Sequence, residues 1–244
     1  DGIYATLGGG RLNTASGFTS TISGGYHNTA SGQYSTLSGG YHNTASGQYS
    51  TLSGGRNNTA ARMLSTISGG SNNLNVGVSS TISGGCNNNI SGNCAVISGG
   101  QGNTVSSAYH GTVSGGYTNS ASGYYYPTVG GGAFNTVSGY CSATVSGGQG
   151  NTASGYVGST ISGGAGNTSS NRYTVVGGGA VNTASGYYAI VNGGKNNTAS
   201  NCYSIIGGGT TNIVSGCYSI VTGGRANTIS GAYSNILGGN NNTI

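Results

Sequence analysis

An aliphatic residue returns every 15 or 16 positions along this 244-residue chain, set among polar neighbours. The column runs Leu7, Ile22, Leu37, Leu52, Ile67, Ile82, Ile97, Val113, Val129, Val145, Ile161, Val176, Val191, Ile206, Val221 and Ile236. A second column within the same repeat is smaller: Ala15, Ala30, Ala45, Ala60, Ile90, Val105, Ala121, Val137, Ala153, Val214 and Ile229. Around each column apolar and polar residues alternate, as in S-T-L-S-G and N-T-A-S-G of the repeat Tyr34 to Gln48. Period-two alternation bounded by glycine predicts two strands of five residues per repeat, with both columns pointing inward. Large side chains then face small ones across a thin core.

Between the two halves stands a Gly-Gly pair, followed three residues after its second glycine by asparagine. The pair occurs sixteen times; eleven of the fifteen intervals are 15 residues and the four between Gly99 and Gly163 are 16. A period this short and strict means one supersecondary unit per repeat, stacked along an axis. The asparagines are Asn13, Asn28, Asn43, Asn58, Asn73, Asn88, Asn103, Asn119, Asn135, Asn151, Asn167, Asn182, Asn197, Asn212, Asn227 and Asn242. Each lies two residues before the small inward position, so alternation turns it inward too. A buried amide is costly unless hydrogen-bonded, which predicts a structural ladder from coil to coil and to turn backbone. The pattern therefore specifies an all-β fold: a parallel β-roll, or solenoid, of about 16 coils, two short strands each, forming one repeat domain over residues 1–244. Sixteen coils predict a rod of roughly 75 Å.

The outward positions carry Thr and Ser. The second strand shows Thr14, Thr29, Thr44 and Thr59 on one line, interrupted at Leu74 and Asn89 and resumed from Thr104. The first strand shows Thr6, Thr21, Thr36, Thr51, Thr66, Thr81, Thr112, Thr128, Thr144 and Thr160, then changes to Val175, Ile190, Ile205 and Ile220. An outward column that turns apolar is expected to meet another chain or a neighbouring segment. The turn before the first strand carries a tyrosine column: Tyr4, Tyr34, Tyr49, Tyr126, Tyr173, Tyr188, Tyr203, Tyr218 and Tyr233. Coils about 4.8 Å apart let these rings stack along an edge, or offer an aromatic strip to a sugar or partner. The 16-residue repeats place their extra residue in this same turn, around Tyr109-His110, Tyr124-Tyr125-Tyr126-Pro127, Tyr140-Cys141-Ser142 and Tyr156-Val157-Gly158, where a bulge would raise a ridge.

Composition narrows function by exclusion. Charged residues are 3% of the chain and Asp1 is the sole acid, so paired-carboxylate hydrolysis and a carboxylate calcium cage lack their groups. A Ser-His-Asp arrangement lacks its orienting acid. No enzyme activity and no cofactor are therefore expected. His27 and His42 share a column one coil apart, but two ligands alone rarely hold a metal, and they read as variable turn residues. The net charge of +5 is scattered over Arg11, Arg56, Arg62, Arg172, Lys195 and Arg225, which is no nucleic-acid footprint. No run of 18 apolar residues predicts a membrane span.

Five cysteines are present. Cys202 and Cys217 occupy one turn column in adjacent coils, within the separation a disulfide requires. Parallel side chains there point the same way, so closure needs the turn to distort. Cys86, Cys94 and Cys141 have no partner legible from spacing, and the odd count leaves a thiol free or paired between chains. Asn-x-Ser/Thr sequons fall at Asn57, Asn89, Asn167, Asn196 and Asn241; Asn167 is a ladder position and a poor acceptor. The chain starts inside a repeat at Asp1 and stops within one at Ile244, reading as a processed product or a window of a longer repeat protein.

The unit S-T-I-S-G-G-x-x-N-T-A-S-G resembles the head repeats of trimeric autotransporter (YadA-like) adhesins. That resemblance implies a left-handed roll, trimeric assembly and a bacterial surface. The repeat here is longer than in those heads, and their charged turn residues are missing. N-T-V-S-G at Asn135–Gly139 is also similar to the half-repeat of grass ice-binding β-rolls, which implies outward threonines ordered against ice. The leading expectation is a structural or adhesive extracellular rod or fibre subunit on a cell or virion surface. Its partners would be further copies, laterally, as trimers or end to end, together with a glycan or surface ligand. Ice binding through the outward Thr and Ser columns is the alternative.

Overall fold

The computed structural model describes residues 2–244; Asp1 lies outside them. The chain folds as an all-β solenoid of about fifteen turns, two short strands per coil, with parallel pairing throughout and no helix among the described residues. Backbone contacts divide it into two compact units, Asp1–Asn119 and Ser120–Ile244.

In the first unit, β1 (Thr6–Leu7) pairs in parallel with β3 (Thr21–Ile22), joining Thr6 to Thr21 and Leu7 to Ile22. The same register repeats through Thr36–Leu37, Thr51–Leu52, Thr66–Ile67 and Thr81–Ile82 to Val96–Ile97 and Thr112–Val113. The opposing sheet begins at β2 (Thr14–Ala15) and runs in register to Thr104–Val105. In the second unit one sheet runs from Thr128–Val129 to Asn235–Ile236 and the other from Ser120–Ala121 to Thr228–Ile229.

The strands are two residues long, shorter than the five expected, because a residue in left-handed backbone geometry stands close to each end. Leu12, His27 and His42 (φ 54–58°) precede the ladder asparagine, and Tyr4, Thr19 and Tyr34 (φ 53–58°) occupy the other turn. Such φ values cost a side-chain-bearing residue about 1 kcal/mol or more. The neighbouring coil holds them in place: His27 N donates to Arg11 O at 3.0 Å and Tyr34 N to Phe18 O at 2.9 Å.

The core lies between the sheets. Ile22, Leu37, Leu52 and Ile67 face Ala30, Ala45 and Ala60 in the first unit, all fully buried; Ile161, Val176 and Ile206 do the same against Ala153 and Ala184 in the second. Each aliphatic side chain contributes about 1.5–3 kcal/mol by its burial. A third parallel ladder of single-residue bridges runs along the position after Gly-Gly, linking Arg11, Tyr26, Tyr41, Arg56, Ser71, Cys86, Gln101 and Tyr117.

The extra residue of the 16-residue repeats makes no bulge. Where 15-residue coils close the turn with a hydrogen bond such as Ser35 N to Gly32 O (3.1 Å), the longer ones open it into another parallel bridge. Asn93 pairs with Tyr109 in the first unit, and Tyr125 with Cys141 and Cys141 with Val157 in the second. The added residue lengthens the wall and leaves the ladder intact.

Candidate functional site

The asparagines are placed where alternation put them. Asn28 through Asn227 are buried, while Asn13 and Asn242, in the terminal coils, are more open. Their bonding is more backbone-directed than a side-chain ladder. Within each unit, Oδ1 accepts from the backbone N–H of the next ladder asparagine, as in Asn43 N to Asn28 Oδ1 at 2.9 Å and Asn197 N to Asn182 Oδ1 at 3.0 Å. From Asn13 to Asn103 and from Asn135 to Asn227, each Nδ2 donates twice, to the first glycine of its own pair and to the second glycine of the neighbouring coil. Asn43 reaches Gly39 O at 3.0 Å and Gly55 O at 2.8 Å. One side chain thus satisfies three backbone groups in two coils. From Asn28 to Asn103 and from Asn135 to Asn227 both hydrogens of the amide are taken up by backbone carbonyls.

Other inward polar positions escaped the sequence reading. Ser20, Ser35, Ser50, Ser65 and Ser80 form a buried column on the first strand's inner face. Ser65 and Ser80 donate back to carbonyls three residues earlier, Arg62 and Gly77, both at 2.7 Å. Asn75 stands where the four preceding coils carry alanine and the next two carry Ile90 and Val105, and is fully buried; its Nδ2 donates to Ser80 O at 2.8 Å and Thr66 O at 3.1 Å, and its Oδ1 accepts from Ser80 Oγ. In the second unit Ser169 and Thr174 face each other in the same way, oxygen to oxygen at 2.7 Å. A polar residue on the inner face was legible only when matched with the residue opposite it.

Val175, Ile190, Ile205 and Ile220 occupy one outward column of one sheet in the second unit, paired in register, with Asn235 ending the run. The first three are half-buried by their column neighbours, and Ile220 is 38% exposed. The threonine preceding them, Thr160, pairs with Val175 in unchanged register. The switch from Thr to Val and Ile therefore alters surface chemistry without altering the coil.

Two residues before each of these lies a tyrosine. Tyr173, Tyr188, Tyr203, Tyr218 and Tyr233 stack face to face, with ring centroids 4.8, 5.1, 4.8 and 5.2 Å apart and planes within 19° of parallel. A second stack, Tyr124–Tyr140–Tyr156, ends under the guanidinium of Arg172, 4.6 Å above the Tyr156 ring, in a cation–π contact. Tyr187 meets Tyr188 edge-on at 4.5 Å. Its hydroxyl hydrogen bond, then desolvation and the neighbouring phenols, hold the Tyr188 pKa above the ordinary tyrosine value. In the first unit Tyr34 and Tyr49 stack at 5.1 Å, whereas Thr19 interrupts the column below Tyr34 and Phe18 bridges Tyr4 and Tyr34 edge-on. On the opposite turn Tyr26 stacks on Tyr41 and His27 on His42, the imidazoles 4.2 Å apart. Within a stack, ring faces are covered by the next ring, and the edges are what solvent meets.

Cys202 and Cys217 are joined by a disulfide across adjacent coils, their Cα atoms 4.8 Å apart. Cys86, Cys94 and Cys141 are free thiols. Among the sequons, Asn57, Asn196 and Asn241 are exposed turn residues with φ of 54–60°, Asn89 is half-buried on the outer face, and Asn167 is buried. Compared with protein-family models and with curated proteins, the chain matches none.

Proposed function

We propose that the chain is a structural or adhesive module, an extracellular rod or fibre subunit of a cell or virion surface, that works through its outward faces. The observation that carries this reading is the in-register column Val175–Ile190–Ile205–Ile220, an apolar stripe on a sheet whose equivalent positions in the other coils are threonine, apart from Val96 and Asn235. A stripe of branched aliphatics on a chain with only 3% charged residues favours burial against another surface, and a second copy supplies a matching one. The ladder amides bond within the coil stack, as Asn43 and Asn197 do, which leaves the outward columns as the variable part. Sedimentation of the full chain over a concentration series tests it. The native chain is expected to self-associate, and Ile190→Thr with Ile205→Thr, which installs the residue other coils already carry there, to shift it toward monomer. A monomer at every concentration would overturn the reading.

A second reading rests on a different observation. Thr14, Thr29, Thr44 and Thr59 pair in strict register on one sheet of the first unit, giving a short file of evenly spaced hydroxyls and methyls, as an ice-ordering face requires. Leu74 and Asn89 interrupt it. Thermal-hysteresis and ice-recrystallisation measurements decide this reading, and no effect at high protein concentration removes it.

A further inference from the structure

We propose that the tyrosine stack of the second unit is a site of oxidative modification, where a one-electron oxidant of the peroxide–haem peroxidase class joins stacked neighbours as dityrosine within one chain. Five phenols in a row lie 4.8–5.2 Å apart, centroid to centroid. All are at least 37% exposed. The chain has no tryptophan and one methionine, so tyrosine is its dominant oxidisable aromatic. Ring-on-ring contact lets a phenoxyl radical formed at one position migrate to the next, which brings two radicals side by side.

The reaction balances. Each of two phenols gives up one electron and its hydroxyl proton; the ring carbons ortho to oxygen couple, and each coupled ring returns its ortho hydrogen to oxygen as it regains aromaticity. Peroxide takes up the two electrons and two protons and leaves as two waters. Coupling needs the parallel rings to tilt until two ortho carbons meet, and side chains on an exposed turn rotate on the picosecond-to-nanosecond scale. The same turn already demonstrates that neighbouring coils can be bridged covalently here. Cys202 and Cys217, each one residue before a stacked tyrosine, are bonded with Cα atoms 4.8 Å apart. Dityrosine would continue that seam along the edge. This inference does not depend on association between copies.

Peptide mapping after oxidation tests it. Arg172, Lys195 and Arg225 divide the stack into tryptic peptides 173–195, 196–225 and 226–244, and both disulfide cysteines fall in the middle one. A Tyr188–Tyr203 link therefore joins two peptides that the disulfide does not. Dilute native chain treated with peroxidase and peroxide should show dityrosine fluorescence, monomer mobility on a denaturing gel, and a joined 173–195/196–225 species lacking two hydrogen atoms. Its yield should exceed that from denatured chain about tenfold, reflecting the local concentration the stack imposes. Tyr203→Phe keeps a ring in the stack but removes the phenol, and should abolish that species while leaving circular dichroism unchanged. Links found only between chains, a native yield equal to the denatured one, or a joined species surviving in Tyr203→Phe would each overturn the proposal.

Discussion

Replacing one ladder asparagine, Asn43, by alanine and by aspartate separates what its amide does. The side chain is fully buried and holds three backbone groups: its Oδ1 accepts from Asn58 N at 3.0 Å, and its Nδ2 donates to Gly39 O at 3.0 Å and Gly55 O at 2.8 Å. Alanine abandons all three, but not equally. Gly55 O keeps the Tyr41 N–H at 2.9 Å, and Gly39 is half-exposed, so water can reach it. The Asn58 N–H, in a fully buried residue, is orphaned. One buried orphan costs about 1–3 kcal/mol and two weaker losses add about 0.5–1 each, so the alanine variant should lose about 2–5 kcal/mol.

Aspartate keeps the bond from Asn58 N–H but turns an oxygen toward two carbonyl oxygens within 3.0 Å, and buries a charge. It should be worse than alanine at neutral pH. Burial and the facing carbonyls raise the pKa of the introduced carboxyl, so its protonated form suits the fold. Stability is then fullest below the unfolded carboxyl pKa and is lost as pH rises through the raised folded value. Because solenoid coils open locally, the assay is hydrogen exchange of peptides spanning residues 28–58 alongside denaturant unfolding. An aspartate variant as protected as the native chain at neutral pH would refute the reasoning, since the Nδ2 donations would then be dispensable.

Three further outcomes follow from the same geometry. Gly25→Ala should be strongly destabilising, by about 3 kcal/mol or more, whereas Gly24→Ala should stay within about 0.5 in the same thermal melts. Gly25 sits at φ +93° with a Cβ position 2.4 Å from Gly40 O, and Gly24 faces open space. Reducing Cys202–Cys217, or substituting both by serine, reopens a 15-residue separation. It should cost about 2–3 kcal/mol, seen as faster exchange confined to those two coils. Tyr187→Phe removes the first cause of the raised Tyr188 pKa, so in an ultraviolet titration Tyr188 should ionise closer to the ordinary tyrosine value. In the native chain the contribution tied to the neutral phenol is present below that ordinary value and lost as pH rises through the raised one.

The two sheets, their inward columns and the buried asparagines were legible because each rests on a side chain that repeats. What stayed hidden rests on backbone or on pairing across the core. The third bridge ladder passes through Arg11, Tyr26, Ser71 and Gln101, residues with nothing in common, because only their N–H and C=O take part. The left-handed positions likewise carry Leu12, His27, Asn57 and Val181 without preference. Asn75 breaks an apolar column and reads as a defect until Ser80 is seen opposite it. Of the candidate site, the Val175–Ile220 column was visible as a change of residue type, while the Tyr124–Tyr140–Tyr156–Arg172 stack was not, since the 16-residue spacing hides the alignment.

That division has a consequence for where this chain can hold specificity. Each coil is fixed by elements that repeat whatever the turn residues are: an inward aliphatic, an amide on three backbone groups, and a glycine that no side chain can replace. A left-handed turn accepts Tyr, Asn, Thr or Val because the neighbouring coil supplies its hydrogen bond, as Tyr188 N to Arg172 O at 3.1 Å and Val181 N to Ala165 O at 2.9 Å. Outward and turn columns can therefore change without disturbing the fold, one residue per coil, while staying aligned. A property built this way is collective: a lone isoleucine or tyrosine on the surface means little, but four or five in register make a stripe. In residues 173–233 two such stripes, one apolar and one aromatic, run two residues apart along the same coils and share them with the disulfide. If the proposed self-association holds, substitutions scattered elsewhere on the outer faces should leave the sedimentation of the chain unchanged, and those confined to these coils should shift it toward monomer.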